Sequence, residues 1–224
     1  MILKEKKIIF IHIPKTGGNS ISHLLKNYSD EKFVKHRPYS DLRNTFEIRS
    51  EITKDKHQTL NDYYNTLGNK FNDFQIFTVV REPLDRMLSL YYKLDLNLDT
   101  NFFVRKVNHF TFKYLNSFYF GAKYYKYKKP SFELKKFKKI LETEKNQISY
   151  ISISNEIPDN IKILKFENLN AELKNFCIKH KIKYEENYVN KSPINKYDDI
   201  NIEELKKEIE NSHHSADYQF YKDK

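Results

Sequence analysis

Two apolar runs in this chain each end at a charged turn and pass directly into a helix-like pattern. The first covers residues 6–13 and stops at a proline; the second covers residues 74–80 and stops at an arginine. After each run, apolar residues recur at intervals of three and four, which is typical of an amphipathic helix. A third run, residues 161–169, precedes a similar pattern. This alternation predicts an α/β fold, with a parallel sheet flanked by helices in a single domain over residues 1–224.

The remaining segments carry weaker patterns. Residues 30–56 are polar and irregular, which predicts a loop-rich segment that faces the functional site. The stretch "TLNDYYNTLG" predicts a helix that ends at Gly68, and "FELKKFKKILETE" predicts another. Residues 202–221 predict one or two C-terminal helices.

The turn after the first run, "PKTGGNS", has the composition of an anion-binding loop. The chain has four glycines, and two of them are Gly17 and Gly18, which allow backbone N–H groups to turn toward a ligand. The following helix directs its N-terminus at the same place, with Asn19 or Ser20 as its predicted N-cap. The side chains that add charge or hydrogen-bond donors are Lys15, Thr16, Asn19 and Ser20. A phosphate- or sulfate-binding loop is predicted; a tight turn that happens to hold a lysine is the alternative.

The second turn adds an arginine and a serine. Arg81 follows the second run, and Ser89 lies two turns into the helix for which Pro83 is a suitable first-turn residue. Ligands of α/β sheets bind at the carboxyl ends of the strands, so neighbouring strands would bring both side chains close to the first loop. An arginine fork matches phosphate oxygens. A second anionic group is therefore predicted here; a buried structural arginine is the alternative.

Together, "HIPKTGG…S" and "TVVREPLDRMLSLYY" resemble the motifs of carbohydrate sulfotransferases of the heparan-sulfate 2-O- and chondroitin type, in their bacterial branch. Weaker likenesses follow in the family's order in "KHQTLNDYYNTLG", "QISYIS", "ILKFENL", "YVNKSP" and "ADYQFY". The resemblance spans most of the chain. It implies a P-loop-like nucleotide-binding fold and an enzyme that moves a sulfuryl group from 3′-phosphoadenosine 5′-phosphosulfate (PAPS) to a hydroxyl of a carbohydrate.

The resemblance also assigns residues to the two ends of PAPS. Its 5′-phosphosulfate would be held by Lys15, Thr16, Gly17, Gly18, Asn19 and Ser20. Asn19 departs from the family's usual threonine, although its amide can still donate a hydrogen bond. The 3′-phosphate would be held by Arg81 and Ser89. The "VNKS" stretch would close over the nucleotide, with the contacts made by Asn190, Lys191 and Ser192.

Two side chains are expected to act on the reacting atoms. An acceptor hydroxyl would attack sulfur in line with the leaving phosphate oxygen, and Lys15 would offset the charge that builds on the bridging oxygen. A base that removes the hydroxyl proton contributes about 10²–10⁴-fold to the rate of such a step. His57 matches a histidine of the bacterial family members and is the preferred base. His36, Glu51 and a helix-capping role for His57 remain open.

The other histidines considered are not expected to take part in catalysis, and no metal is expected. His12 belongs to the first strand and is expected to be packed there, whereas His213 and His214 are expected on the surface of the C-terminal helices. One cysteine and scattered histidines make no metal-ligand set.

Composition sets the expected surroundings of the protein. The net charge of +10 is spread along the chain, which fits a lysine-rich surface or attraction of an anionic donor and gives no specific sign of a nucleic-acid partner. Cys177 is the only cysteine, so no intrachain disulfide can form, which suits a reducing compartment. No apolar stretch approaches the roughly 20 residues of a membrane span. We therefore expect a soluble, cytoplasmic protein, and the resemblance implies a bacterial enzyme whose acceptor is a polysaccharide or a lipid-linked oligosaccharide.

Three other functions remain open on the sequence alone. A kinase-like P-loop enzyme would place its lysine after the glycines and would need an acidic Mg²⁺ ligand at a second strand end. A non-catalytic basic module would bind nucleotide, sulfated glycan or nucleic acid and would tolerate Lys15→Ala. A degenerate relative would bind nucleotide without transferring sulfate, and Asn19 is the only hint toward it.

Overall fold

A four-stranded sheet lies at the centre of the computed structural model, which describes residues 1–35, 46–98, 131–185, 197 and 200–224. The strands lie in the order β1 (Ile2–Leu3), β2 (Ile8–Ile11), β5 (Gln75–Val80) and β6 (Ile161–Lys165). β2 pairs in parallel with β5, and β5 pairs in parallel with β6, whereas the short β1 is antiparallel to β2. The mixed α/β fold with a mostly parallel sheet is therefore confirmed.

Most of the helices lie where the sequence pattern predicts them, and the short helix at Ile148–Ile151 was not predicted. Those of the described residues are α1 (Gly18–Leu25), α2 (Leu60–Leu67), α3 (Pro83–Leu98), α4 (Leu134–Thr143), α5 (Ile148–Ile151), α6 (Leu169–Lys179), α7 (Ile202–Glu210) and α8 (Ser215–Lys222). α2 ends at Gly68 and α3 begins at Pro83, as expected. Among the residues that the structure describes, no helix is both long enough and apolar enough to cross a membrane.

Successive side chains of a strand point to opposite faces of a sheet, and here helices cover both faces. On one face, Phe10 and Phe77 pack against α1 and α6. On the other, Ile9 and Ile76 pack against α2 and α5. A third apolar cluster joins α3, α4 and α7. This double cover explains why both strands read as continuous apolar runs rather than as alternating patterns.

The segment over residues 30–56, which the sequence predicts to be rich in loops, also contains two short strands. β3 (Lys32–Lys35) and β4 (Phe46–Arg49) form an antiparallel pair within it, and Phe33 lies opposite Ile48. Ile48 is buried, and Phe33 packs on the same apolar cluster as α1 and α6. Each strand has only four residues among polar neighbours, so its alternation is too short to stand out in the sequence.

Candidate active site

The first loop leaves β2 through a tight turn whose backbone is held from within. Lys15 has a φ of 71° and Gly17 a φ of 84°, so both adopt the left-handed conformation. For a residue with a Cβ, this conformation costs roughly 1–2 kcal/mol. The hydroxyl of Thr16 donates to the carbonyl oxygen of Ile13 at 2.9 Å and so closes the turn. The side chain of Thr16 therefore helps to fix the shape of the loop from within.

Helix α1 begins inside the glycine pair, without a side-chain cap. Its N-cap is Gly17, and its first helical residue is Gly18. The prediction that Asn19 or Ser20 caps this helix is wrong, because the left-handed Gly17 starts the helix earlier and places both residues in the first turn. A helix start that no side chain caps leaves its first N–H groups for a ligand, and these groups attract anions.

Close packing favours glycine at both positions, and the left-handed backbone favours it at Gly17 as well. A Cβ on Gly18 would lie 2.0 Å from Cδ2 of His12, and a Cβ on Gly17 would lie 3.0 Å from Cε2 of Phe166. His12 is buried just beyond the end of β2, as expected of a packed residue. Its ring is thus one wall of the loop, and the ring of Phe166 is another.

Arg81 reaches the same loop from the end of β5. Its Nη1 donates to the carbonyl oxygen of Lys15 at 2.9 Å, its Nε donates to Oδ2 of Asp85 at 2.6 Å, and its Nη2 forms a close ion pair with the same carboxylate. Its guanidinium also stacks on the ring of Phe166, 4.1 Å from the centroid. The two motifs therefore meet, and the described contacts use three of the five guanidinium N–H groups.

Arg86 is a second arginine at this junction, and sequence reasoning missed it. Its Nε donates to the carbonyl oxygen of Pro14 at 3.1 Å, and its Nη2 donates to that of Lys145 at 3.0 Å. The side chain is fully buried, and burial lowers the pKa of its guanidinium. The available signal was an arginine beside apolar Met87 and Leu88 on the inner face of an otherwise amphipathic helix.

His57 lies beside the first loop through its contact with the end of β2. Its Nδ1 is 2.9 Å from the carbonyl oxygen of His12, and the two rings meet edge to face with centroids 4.5 Å apart. A carbonyl oxygen only accepts, so Nδ1 carries the hydrogen and Nε2 of the neutral ring is the acceptor. The capping alternative for His57 is wrong, because Thr59 caps α2 in a reciprocal capping box with Asp62.

A family model for sulfotransferases matches residues 1–196. The chain belongs to the sulfotransferase family. The match includes the first loop, His57 and Arg81, and it ends before α7 and α8. No curated protein and no solved structure matches the chain.

The other predicted residues of this sulfotransferase occupy varied positions. Asn19, Ser20 and Ser89 are partly exposed on the helices that follow the two motifs, and Glu51 is exposed after β4. The predicted residues that lie outside the described part of the chain are His36, Asn190, Lys191 and Ser192.

The C-terminal histidines differ from each other, and no metal cluster accompanies them. His213 is exposed, as expected, but His214 is fully buried, 3.8 Å from Asp217, so the surface prediction for His214 is wrong. The turn between α7 and α8 brings His214 inward. Within the described ranges, the sulfotransferase has no group of three or more His, Cys, Asp or Glu side chains that could hold a metal ion.

Acidic side chains of the sulfotransferase border Arg81. Glu82 accepts a hydrogen bond from the backbone N–H of Asp85 at 2.7 Å and so caps the start of α3. Glu167, at the end of β6, accepts from the backbone N–H of Glu82 at 3.0 Å and from the hydroxyl of Tyr221 at 2.6 Å. Burial, and the nearby carboxylates of Asp85 and Glu167, raise the pKa of Glu82.

Proposed function

We propose that this sulfotransferase moves a sulfuryl group from PAPS to a hydroxyl of a carbohydrate. The observation that carries the proposal is the hydrogen bond from Arg81 to the carbonyl oxygen of Lys15, because it joins two anion-binding motifs from different strand ends. A donor with one anionic group at each end of a nucleoside matches such a pair. The family normally takes PAPS as its sulfate donor.

The residues of the first loop fit the phosphosulfate end of this donor. The start of α1 carries no side-chain cap, and the first N–H groups of a helix attract anions. The proposed contacts of this end are Lys15, Thr16, Gly17, Gly18, Asn19 and Ser20.

Arg81 and Ser89 are proposed for the 3′-phosphate. Asp85 and Lys15 occupy three guanidinium N–H groups of Arg81, and no described contact uses the other two, one on each terminal nitrogen. Two N–H groups suffice for a forked contact with phosphate oxygens. Asp85 also fixes the plane of the guanidinium, so the remaining donors are oriented before the ligand arrives. Asn190, Lys191 and Ser192 are proposed to close over the nucleotide.

The proposed chemistry needs a cation and a base from the protein. When bound, PAPS supplies the sulfuryl group that an acceptor hydroxyl attacks in line with the leaving phosphate oxygen. Lys15 places its charge at this end of the site and stabilises the negative charge that develops there. His57 accepts the hydroxyl proton at Nε2, while the contact of Nδ1 with the carbonyl oxygen of His12 keeps the ring in the required tautomer.

The acceptor class and the domain organisation are parts of the same proposal. A carbohydrate acceptor, as a polysaccharide or a lipid-linked oligosaccharide, rests on the likeness of both motifs to carbohydrate sulfotransferases. A single domain over residues 1–224 is supported by the contacts of α8, which packs on α3 and α5.

Calorimetric titration with adenosine 3′,5′-bisphosphate, without added metal, tests this function. Wild type should bind, and Lys15→Ala and Arg81→Ala should each weaken binding by at least about tenfold, which corresponds to about 1.4 kcal/mol. Arg81→Lys, which keeps the charge but loses the fork, should also bind more weakly. Lys4→Ala and Arg49→Ala are matched controls, because both side chains are exposed and lie outside the proposed site. Absence of binding, or indifference to Lys15→Ala and Arg81→Ala, would refute the proposal.

A further inference from the structure

We propose that Gln147 and Asp217 are positioning residues for the 3′-phosphate, and that α8 is thereby a working part of the donor site. The inference rests on the proposed role of Arg81. Gln147 lies within residues 1–196, which the family model matches, whereas Asp217 lies beyond them.

Gln147 holds the backbone of Arg81 from both sides. Its Oε1 accepts from the backbone N–H of Arg81 at 2.9 Å, and its Nε2 donates to the backbone carbonyl oxygen of Arg81 at 2.9 Å. Gln147 is fully buried. The two bonds hold the peptide groups on either side of the Arg81 Cα atom, so together they fix the position from which the Arg81 side chain leaves the backbone.

Asp217 holds Gln147 in turn. The backbone N–H of Gln147 lies 2.8 Å from each carboxylate oxygen of Asp217, and the N–H of Ile148 donates to Oδ1 at 3.2 Å. Asp217 is 1% exposed. A carboxylate buried to this extent is costly unless hydrogen bonds satisfy it, and loss of these partners would displace the segment that carries Gln147.

Further contacts attach the same segment to α3 and to the turn before α8. Arg86 donates to the carbonyl oxygen of Lys145, Asn146 donates through Nδ2 to the carbonyl oxygen of His213 at 3.0 Å, and Nε2 of His213 lies 2.9 Å from the carbonyl oxygen of Glu144. Residues 144–148 are therefore held between α3 and the turn that precedes α8. The contacts run without a break from Asp217 through Gln147 and Arg81 to Lys15.

This arrangement predicts an effect on one end of the ligand only. Arg81 is proposed to contact the 3′-phosphate, so a displaced Arg81 should weaken ligands that carry this group and leave other ligands nearly unaffected. A merely structural role of Gln147 and Asp217 would instead lower the stability of the protein and the affinity for all nucleotides together.

The test compares the affinities of the full-length protein for adenosine 3′,5′-bisphosphate and for adenosine 5′-monophosphate, which lacks the 3′-phosphate. Gln147→Met removes both bonds to Arg81 at similar volume, and Asp217→Asn removes the charge but keeps an acceptor oxygen. Each should weaken the bisphosphate by at least about tenfold and change the monophosphate by less than about threefold. Asp223→Asn is the control, because Asp223 is exposed at the end of α8 and bonds only Gln219 among the described residues.

The outcomes separate this inference from the proposed function. If wild type fails to prefer the bisphosphate, or if Arg81→Ala keeps the preference, the proposed function itself is wrong. If wild type and Arg81→Ala behave as proposed while Gln147→Met and Asp217→Asn match wild type, only the positioning role is overturned. Equal weakening of both ligands also overturns it. Should Gln147→Met fail to fold, the milder Asp217→Asn decides the question.

Discussion

The two ends of the proposed donor site are built from different materials. At the first loop, the proposed binding surface is shaped mainly by backbone conformation, namely the left-handed Lys15 and Gly17 and the uncapped start of α1. At the end of β5, the proposed binding group is a side chain, Arg81, which is held in place by hydrogen bonds with Asp85 and Gln147. Binding at the first loop should therefore be lost when a side chain is added to a glycine, and binding at Arg81 when one of its hydrogen-bond partners is removed.

The comparison also separates the expected kinetic effects. His57 belongs to the first end, because its ring is attached to the carbonyl oxygen of His12 directly before the loop. Substitutions in the first loop should therefore change nucleotide binding, and substitution of His57 should change catalysis. Substitutions around Arg81 should act mainly on affinity for the nucleotide.

His57→Gln should give the largest effect. A glutamine can still donate to the carbonyl oxygen of His12 but cannot take up a proton, so kcat should fall by about 10²–10⁴-fold while the affinity for adenosine 3′,5′-bisphosphate stays nearly constant. Steady-state rates with any oligosaccharide that the wild type sulfates would measure this. His180→Gln is the control, because His180 lies at the C-terminal end of α6 and its ring contacts Phe176. An unchanged kcat would assign the base to another group, such as Glu51.

Gly18→Ala should come next, because the added Cβ would lie 2.0 Å from Cδ2 of His12. Overpacking of this kind typically costs about 1–3 kcal/mol, and here it would also distort the loop. We expect a lower urea midpoint together with weaker nucleotide binding. Gly68→Ala is the matched control: its φ is +54°, and nothing lies within 4 Å of the added Cβ. Gly68→Ala should lose stability without losing nucleotide affinity. Equal losses of affinity in the two variants would show that the effect of Gly18→Ala is not specific to the first loop.

Phe166→Leu tests the contact between the two ends, because the ring of Phe166 packs on Arg81 and faces Gly17. Loss of the cation–π contact should weaken binding of adenosine 3′,5′-bisphosphate by about 0.5–2 kcal/mol. Calorimetry would measure it. Phe220→Leu is the control, because its cationic neighbour is Lys224 at the end of the described chain, 5.9 Å from the ring centroid. Affinity equal to that of wild type would show that the ring does not support Arg81.

Glu82→Gln should give the smallest effect, and its sign depends on pH. The folded protein raises the pKa of Glu82 above its ordinary value of 4.5, so the ionised carboxylate destabilises the folded state above the folded pKa. Below about pH 4 the group is protonated in both states, and this penalty disappears. The variant should therefore be more stable than wild type near pH 7 and equal to it near pH 4, as judged by urea midpoints. A gain that is independent of pH would contradict this explanation.

Much of the fold, and both anchor motifs, could be predicted from local sequence. The runs that became β2 and β5 are continuous and apolar, and the residues after them carry the glycines, Lys15 and Arg81. The parts that were missed depend on distant pairings. Gln147 meets Arg81 across 66 residues, and Arg86 meets Pro14 across 72. No local pattern marks such a pair, since a buried glutamine or aspartate looks like a surface residue in the sequence.

The same reason explains why other features were not predicted. The strand pair of β3 and β4 depends on the pairing of Phe33 with Ile48, which are distant in the sequence and share no local pattern. His214 is buried because the turn before α8 brings it next to Asp217, whereas its polar neighbours in the sequence suggest a surface position.

The central claim is that one nucleotide bridges the two ends, with its 5′ group at the first loop and its 3′-phosphate at Arg81. The most direct measurement is calorimetry with adenosine 5′-monophosphate and adenosine 3′-monophosphate against Lys15→Ala and Arg81→Ala. We expect Lys15→Ala to weaken only the 5′-monophosphate and Arg81→Ala to weaken only the 3′-monophosphate. The reverse pattern, or equal weakening of both ligands by each variant, would contradict it.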